Sequence, residues 1–235
     1  MTAVDLNSDL GEGAGEDERI MPLVTSANVA CGAHAGDERT MRATVSLALL
    51  HGVAVGAHPG YRDAASFGRV PVEMPREALI ADVVAQIEDL RRIARELGAE
   101  VTHVKAHGAL YNQGERDAAI ADAIAEAVAH VDASLAVVAT PRSAMARAAR
   151  ERGLRVAREG FIDRAYEPDG TLRSRKLPGA LITDPAAAAE HAVALVRGGD
   201  LDTLCVHGDT PGAPAIVAAA RRALADAGVE VRPFR

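Results

Sequence analysis

Along this chain, short runs of apolar residues, or of alternating apolar and polar residues, are separated by longer segments in which apolar residues recur at helical spacing. The runs predict seven strands, at residues 3–9, 25–31, 53–58, 101–107, 135–140, 155–160 and 203–208. Helices are predicted near residues 37–51, 75–97, 115–131, 142–152, 184–197 and 213–227. Strands that alternate with helices form parallel sheets through right-handed crossovers. The pattern therefore predicts an α/β fold, and the strand number favours a single-domain, TIM-like β/α barrel over residues 1–235.

Composition limits the kind of protein this is. Hydrophobic residues make up 49% of the 235 positions but aromatic residues only 3%, so the core has to consist of Ala, Val, Leu and Ile. The net charge of −7 argues against nucleic acid held on a basic surface. We find no signal peptide and no apolar stretch near the ~18 residues of a membrane span, so we expect a cytoplasmic protein without membrane contact. Cys31 and Cys205 are expected to be buried residues rather than a disulfide.

Two signatures of nucleotide binding are absent from the sequence. No GxGxxG follows a predicted strand, and no GxxxxGK[ST] occurs anywhere. This weakens the alternative of a doubly wound dinucleotide-binding fold. The longest irregular segment, residues 160–182, is a candidate lid, because long loops in compact domains are often functional or mobile.

Polar side chains concentrate at, or just past, the carboxyl ends of the predicted strands. In HVKAHG, the side chains of His103, Lys105 and His107 share one face of the fourth strand, because strand side chains alternate between faces. The other candidates at or near this edge are Asn7, Asp9, Glu12, Asn28, His34, His58, Arg69, Glu159, Asp163, Arg164, His207 and Asp209. Active sites of barrels and open α/β sheets form at this edge. We therefore predict a polar site there, whose buried charges are paired, hydrogen-bonded or bound to a metal.

The histidines divide into two groups by position. Those that follow a strand close to glycine favour a shared site, and they are His34, His58, His107 and His207. The others are expected to be structural, with one a hydrogen-bonding core residue, His103, and three in helices, His51, His130 and His191. His, Asp and Glu suit zinc or manganese, but no HxH or HExxH spacing specifies such a site. No metal ligand is therefore assigned from the sequence.

With these motifs the chain resembles the LamB/YcsF family, which includes the A subunit of bacterial ATP-dependent 5-oxoprolinase. The matching blocks are DLNSDLGEG (5–13), SANVACGAHAGD (26–37), GAHPGY (56–61), FGR (67–69), VKAHGALYN (104–112), EGFIDRAY (159–166) and VHGD (206–209). They run from the first predicted strand to the last. Two positions depart from the family pattern, since Ala106 stands where proline is usual and Val70 where a second arginine is usual.

The resemblance implies a seven-stranded barrel of the glycoside hydrolase/deacetylase type. It also implies ATP-dependent cleavage of the lactam 5-oxo-L-proline to L-glutamate, with ATP and Mg²⁺ as cofactor and 5-oxoprolinase subunits B and C as partners. For this chemistry we expect Lys105 to bind an anionic group and His107 or His207 to act as general base. Either Asp209 or Asp9 is expected to orient that base. The expected substrate-binding residues are Asn7, Glu12, Asn28, His34, His58, Arg69, Glu159, Asp163 and Arg164.

Two other interpretations fit the same pattern of polar residues. One is a metal-dependent hydrolase or deacetylase of a sugar or N-acyl substrate on the same barrel. The other is a regulatory or scaffolding protein that binds a small acid without chemistry, which the density of titratable groups makes the weakest of the three.

Overall fold

Parallel strands close into a barrel in a computed structural model that describes residues 2–168, 170–175 and 177–234. The strands are β1 (Ala3–Leu10), β2 (Ser26–Ala30), β3 (Ala54–His58), β4 (Val101–Val104), β5 (Ala136–Ala139), β6 (Arg155–Phe161) and β7 (Thr203–His207). Each strand pairs with the next in chain order, and β1 pairs with both β2 and β7 to close the circle. The predicted seven-stranded β/α barrel is thus confirmed.

Helices surround the barrel and cover its apolar outer face. They are α1 (Asp17–Ile20), α2 (Glu38–His51), α3 (Arg76–Leu97), α4 (Gly108–Gly114), α5 (Ala118–Val131), α6 (Ala144–Glu151), α7 (Pro185–Arg197) and α8 (Ala213–Asp226). The helix predicted over 115–131 is confirmed as α5, which begins a few residues later at Ala118, whereas the short helix α4 is not among the predicted helices. The Asp117 carboxylate accepts hydrogen bonds from the backbone N–H groups of Ala119 and Ile120, and this cap starts a new helix.

The apolar core is rich in alanine, valine, leucine and isoleucine, as the composition predicts. Cys31 and Cys205 are both buried and free, in agreement with the expectation. Within the described residues, none of the helices combines the length and apolarity needed to span a bilayer.

The fourth strand is shorter than predicted, because β4 ends at Val104 rather than at residue 107. A register irregularity between Val55 and Gly56 interrupts its regular pairing with β3. The chain nevertheless stays extended, since the Lys105 and His107 amides donate to the carbonyls of Ala57 and Pro59 at 2.9 and 2.8 Å. The side chains of this segment therefore still point into the carboxyl end of the barrel, which we call the mouth.

The opposite end of the barrel is closed by the C-terminal segment. A short strand, β8 (Glu230–Val231), pairs in parallel with Ala3 and Val4 at the start of β1. Beyond it, the Phe234 ring lies 5.2 Å from the ring of His103, measured between centroids. His103 itself is fully buried and hydrogen-bonds Asn28, as expected for a core residue.

The segment predicted as a candidate lid, residues 160–182, folds over one side of the mouth. Isolated antiparallel bridges join Arg164 to Leu181 and Tyr166 to Leu172. Part of this segment contributes to the cavity described next, whereas Asp169 and Lys176 lie outside the described residues. Its closure over a ligand stays a prediction.

Candidate active site

A cavity of about 640 Å³ opens at the mouth of the barrel. The predicted site residues that line it are Asp9, Glu12, His58, Arg69, Lys105, His107, Arg164, His207 and Asp209. The remaining predicted residues lie behind this lining and bond to it, and they are Asn7, Asn28, His34, Glu159 and Asp163. The structure therefore gathers all the predicted site residues in one place, as the strand-end pattern indicates.

Lys105 is a buried ammonium group held between carboxylates. Its Nζ lies 2.8 Å from Glu159 Oε1 and 3.1 Å from Asp9 Oδ1, and its side chain is 3% exposed. Burial alone would lower the pKa of Lys105, but the negative charges around it, with Asp9 the largest contributor, hold that pKa well above its usual value. A charged amine therefore faces the cavity at all physiological pH values.

A layer of amides fixes Asp9 from below. The Asn28 amide donates to Asp9 Oδ1 and Asn7 Oδ1, both at 2.8 Å, and the Asn7 amide donates to Thr203 Oγ1 at 2.6 Å. Asn7 and Asn28 are expected to bind substrate, but their amide N–H groups already donate to other side chains of the protein. In this arrangement they position Asp9 and Lys105.

His207 is oriented by Asp163, which differs from the expectation of Asp209 or Asp9. The Nδ1 atom of His207 lies 2.9 Å from Asp163 Oδ2, and the His207 backbone amide donates to the same oxygen at 3.2 Å. Burial would raise the pKa of Asp163, but the combined effect of His207 and the Thr210 hydroxyl outweighs it and lowers that pKa. With Nδ1–H held by the carboxylate, neutral His207 carries its lone pair on Nε2, as a general base requires.

Asp209 instead belongs to the rim of the cavity, where it pairs with arginines. Arg69 donates to its carboxylate, and Arg175 Nη1 lies 3.3 Å from the same oxygen. Arg164 donates to the Arg173 carbonyl at 2.7 Å, and its buried Nε has no partner among the described residues. The rim thus presents several guanidinium groups that suit an anionic ligand.

Histidines surround one oxygen of Glu12 on the other side of the cavity, in what we call the Glu–His cluster (Glu12, His34, His58 and His107). The Glu12 Oε1 atom lies 3.0 Å from His34 Nε2, 3.1 Å from His107 Nδ1 and 3.5 Å from His58 Nε2. Burial would raise the pKa of Glu12, but the surrounding imidazoles of His107, His34 and His58 outweigh it and hold that pKa below its usual range.

Two groups of side chains in this region have donor atoms close enough to hold a metal ion. One is the Glu–His cluster and the other consists of Asp9, Cys205 and His207, with donor atoms that lie within 4.8 Å of one another in each group. No sequence spacing reveals the first group, because its members come from separate strand ends and loops.

Some residues of the site escape sequence reasoning. Tyr111 donates to Glu159 Oε2 at 2.9 Å, and the Phe161 ring stacks on His207 with centroids 5.3 Å apart. Arg175 lines the cavity from the irregular segment. Tyr111 and Phe161 do lie within conspicuous motifs, VKAHGALYN and EGFIDRAY, whereas nothing marks Arg175 among the neighbouring arginines.

Known proteins resemble this sequence over its whole length. The chain is 50% identical to the A subunit of 5-oxoprolinase from Chloroflexus aggregans, with 100% of both chains covered. It is 49% identical to that of Symbiobacterium thermophilum, with 97% of this chain and 94% of the relative covered.

Solved structures agree with the barrel. A lactam utilization protein from Thermus thermophilus superposes with a TM-score of 0.93 at 45% identity, covering 99% of this chain and 100% of the other. A family 4 carbohydrate esterase from Streptomyces lividans shares only the fold, with a TM-score of 0.54 at 12% identity over 98% of this chain and 91% of that one. The model of the LamB/YcsF family matches residues 4–235, and the chain belongs to the LamB/YcsF family.

Proposed function

We propose that this chain is the A subunit of an ATP-dependent 5-oxoprolinase, which opens the lactam of 5-oxo-L-proline to L-glutamate. The observation that carries the proposal is a buried ammonium, Lys105, beside a carboxylate-oriented imidazole, His207, in one cavity. Support also comes from relatives that are 49–50% identical and are named as the A subunit of 5-oxoprolinase.

The chemistry of a lactam explains why such a site needs help from ATP. A five-membered lactam is a stable amide, so its direct hydrolysis is slow and unfavourable. Phosphoryl transfer from ATP to the lactam oxygen releases ADP and activates the ring carbon for attack by water. Breaking of the C–N bond then frees the amine of glutamate and leaves its side-chain carboxyl as an acyl phosphate, from which a second water releases phosphate. Overall, one water opens the lactam and a second is consumed as ATP becomes ADP and phosphate.

The residues of the cavity suit the steps at the ring carbon. His207 accepts a proton from the attacking water at Nε2, and Asp163 stabilises the imidazolium that forms. Lys105 faces the negative charge that develops on the ring oxygen or its phosphoryl group. The rim arginines Arg69, Arg164 and Arg175 bind the carboxylate of the substrate or the phosphoryl group.

The proposal also includes which subunits of the complex bind ATP. The chain has neither nucleotide-binding signature, so we assign ATP and Mg²⁺ at least in part to subunits B and C of the complex. The chain alone is then expected to release no glutamate from 5-oxo-L-proline, with or without ATP.

The test is glutamate release by the chain mixed with its B and C subunits, with and without ATP. We expect release only with ATP and all subunits, and a His207→Asn variant of this chain should abolish it. His191→Asn is the matched control, because His191 lies on α7 outside the cavity, where its Nδ1 contacts the Ile162 carbonyl. Absence of glutamate from a folded, associated complex would contradict the proposal, and ATP-independent deacetylation would favour the metal-dependent hydrolase instead.

A further inference from the structure

Backbone carbonyls fix the protonation of two histidines in the Glu–His cluster. His58 Nδ1 lies 2.7 Å from the Lys105 carbonyl oxygen, and His107 Nε2 lies 2.9 Å from that of Phe67. A carbonyl oxygen only accepts hydrogen bonds, so these two ring nitrogens carry the protons. In the neutral imidazoles, the lone pairs therefore reside on the opposite nitrogens, His58 Nε2 and His107 Nδ1.

Those two lone pairs point toward each other and toward a carboxylate. His58 Nε2 lies 3.0 Å from His107 Nδ1, and both nitrogens approach Glu12 Oε1, at 3.5 and 3.1 Å. Three acceptors at these separations repel one another unless a positive charge lies between them. The side chains are 1%, 7% and 4% exposed for His58, His107 and Glu12, so solvent does not supply that charge.

The spacing of the three atoms matches a coordination sphere. Ligand atoms about 2.0–2.2 Å from a tetrahedral zinc ion lie about 3.3–3.6 Å from one another. The observed separations are 3.0, 3.1 and 3.5 Å. Histidines whose second nitrogen donates to a backbone carbonyl are also the usual form of a metal ligand, because that bond fixes the ring and its tautomer.

His34 differs from the other two histidines in its geometry. Its ring stacks on that of His107 with a 1° interplanar angle and centroids 3.6 Å apart. Imidazole binds a metal in the plane of its ring, so two stacked rings cannot both direct lone pairs at one ion. His34 Nε2 instead donates to Glu12 Oε1 at 3.0 Å, which orients the carboxylate.

The electrostatic setting also favours a cation at this position. Asp9 Oδ2 lies 3.5 Å from His58 Nε2, which adds a second carboxylate beside the three acceptors. Lys105 offsets part of this charge, but its Nζ is engaged by Asp9 and Glu159. The cavity borders Glu12, His58 and His107, which leaves a path for an ion to enter.

We propose that Glu12, His58 and His107 bind one divalent ion of the zinc type, with a remaining coordination position open to the cavity. A His₂Glu donor set with an open position is typical of catalytic rather than structural zinc. The proposal goes beyond ATP-dependent lactam cleavage and does not depend on it, because metal binding is measured directly on the chain.

The experiment is zinc binding to the full chain after removal of bound metal with a chelator. Calorimetric titration with Zn²⁺ is expected to show about one ion per chain. Glu12→Gln and His107→Asn should each weaken the affinity for Zn²⁺ at least about 100-fold. His34→Ala should weaken it about 10- to 100-fold, because His34 contacts the Glu12 carboxylate rather than the ion. Co²⁺ in place of Zn²⁺ should give visible bands of a tetrahedral site without a thiolate charge-transfer band.

Matched variants separate this site from its alternatives. His51→Gln changes an exposed helix histidine and Cys205→Ser removes the thiol of the second group, and both should keep the native affinity. Circular dichroism confirms folding, and His58→Gln replaces any variant that fails to fold. No zinc binding by the native chain, or unchanged affinity in the folded ligand variants, would overturn the proposal and would mean that a protonated imidazole supplies the positive charge.

Discussion

Lys105 remains charged in a buried position because carboxylates lie on two sides of it. Removing the ammonium leaves Asp9 and Glu159 without their cation, and breaking such buried pairs destabilises proteins by about 3–5 kcal/mol. The residue therefore has a structural role as well as its proposed part in the reaction, and an experiment on it has to separate the two.

For Lys105→Met we expect a loss of at least about 100-fold in kcat for ATP-dependent glutamate release, because the developing negative charge loses its partner. Thermal unfolding of the variant identifies a temperature at which it is folded, and the rate is measured there with all subunits present. Glu159→Gln is the matched control, since it alters the same ion pair while keeping the ammonium. Near-native turnover of folded Lys105→Met would contradict the assigned role.

Asp163 acts through His207 and is a positioning residue. Asp163→Asn keeps the shape but favours the wrong tautomer of His207, so we expect kcat to fall by about 10²- to 10⁴-fold while KM changes little. Steady-state kinetics of the complex provides both values. Asp209→Asn serves for comparison, because Asp209 contacts rim arginines and its replacement should act mainly on KM. Equal effects of the two variants on KM and kcat would argue against the distinction.

At the scale of elements, the His103 side chain of β4 packs directly against the backbone of β3 at Gly56. A Cβ atom placed on Gly56 would lie 2.1 Å from His103 Nε2, so the imidazole occupies the space of the missing side chain. That same nitrogen lies 3.0 Å from Asn28 Oδ1, and Asn28 holds Asp9. The contact between Gly56 and His103 is therefore linked to Asp9 in the mouth through the side-chain amide of Asn28.

Gly56→Ala is expected to destabilise the protein by about 1–3 kcal/mol through overpacking against His103. The double variant Gly56→Ala/His103→Ala relieves the clash, so its loss should be smaller than the sum of the two single losses. Chemical denaturation of the four proteins gives the interaction free energy of this cycle. Additive losses would show that the ring and the glycine do not interact.

The strands and helices differ in how far they can be predicted from the sequence pattern. Alternation and glycine-bounded runs locate the strands, since these features depend on local burial. The end of β4, the short helix α4 and the exact start of α5 are not predictable in this way, because they depend on which backbone groups pair in space and on the Asp117 cap. The partners of His207 and Asp209 likewise depend on which loops meet in space, so the sequence alone does not identify Asp163 as the orienting residue.

For the whole molecule, closure of the barrel depends on β1, whose Asp5 connects three strands. Its carboxylate accepts hydrogen bonds from Thr25, Ser26 and Thr203, at 2.6, 2.7 and 2.5 Å. Burial raises the pKa of Asp5 from 3.8 to about 6, although these hydroxyl groups oppose the shift. The folded protein therefore holds a proton on Asp5 at pH values where the unfolded chain has lost it.

Because the pKa of Asp5 is raised, the protonated side chain makes its full contribution to the free energy of unfolding below about pH 4. That contribution is lost as the pH rises through about 6. The shift of about two units corresponds to a loss of about 3 kcal/mol in the free energy of unfolding. Asp5→Asn should remove this part of the pH dependence, which denaturation at several pH values between about 4 and 8 would measure. Glu190→Gln, at an exposed position of α7, is the control, and an unchanged profile for Asp5→Asn would contradict the assignment.

The closed lower end of the barrel has a practical consequence. The Glu230 amide donates to the Thr2 carbonyl at 2.9 Å, so the first and last described segments lie side by side, away from the cavity. Segments that lie this close can be joined by a short linker, and the chain can be opened in a surface loop instead, without stretching the backbone. A circular permutant of this kind should keep the mouth intact, and it would let fluorescent labels or fusion partners be attached at sites chosen by the experimenter.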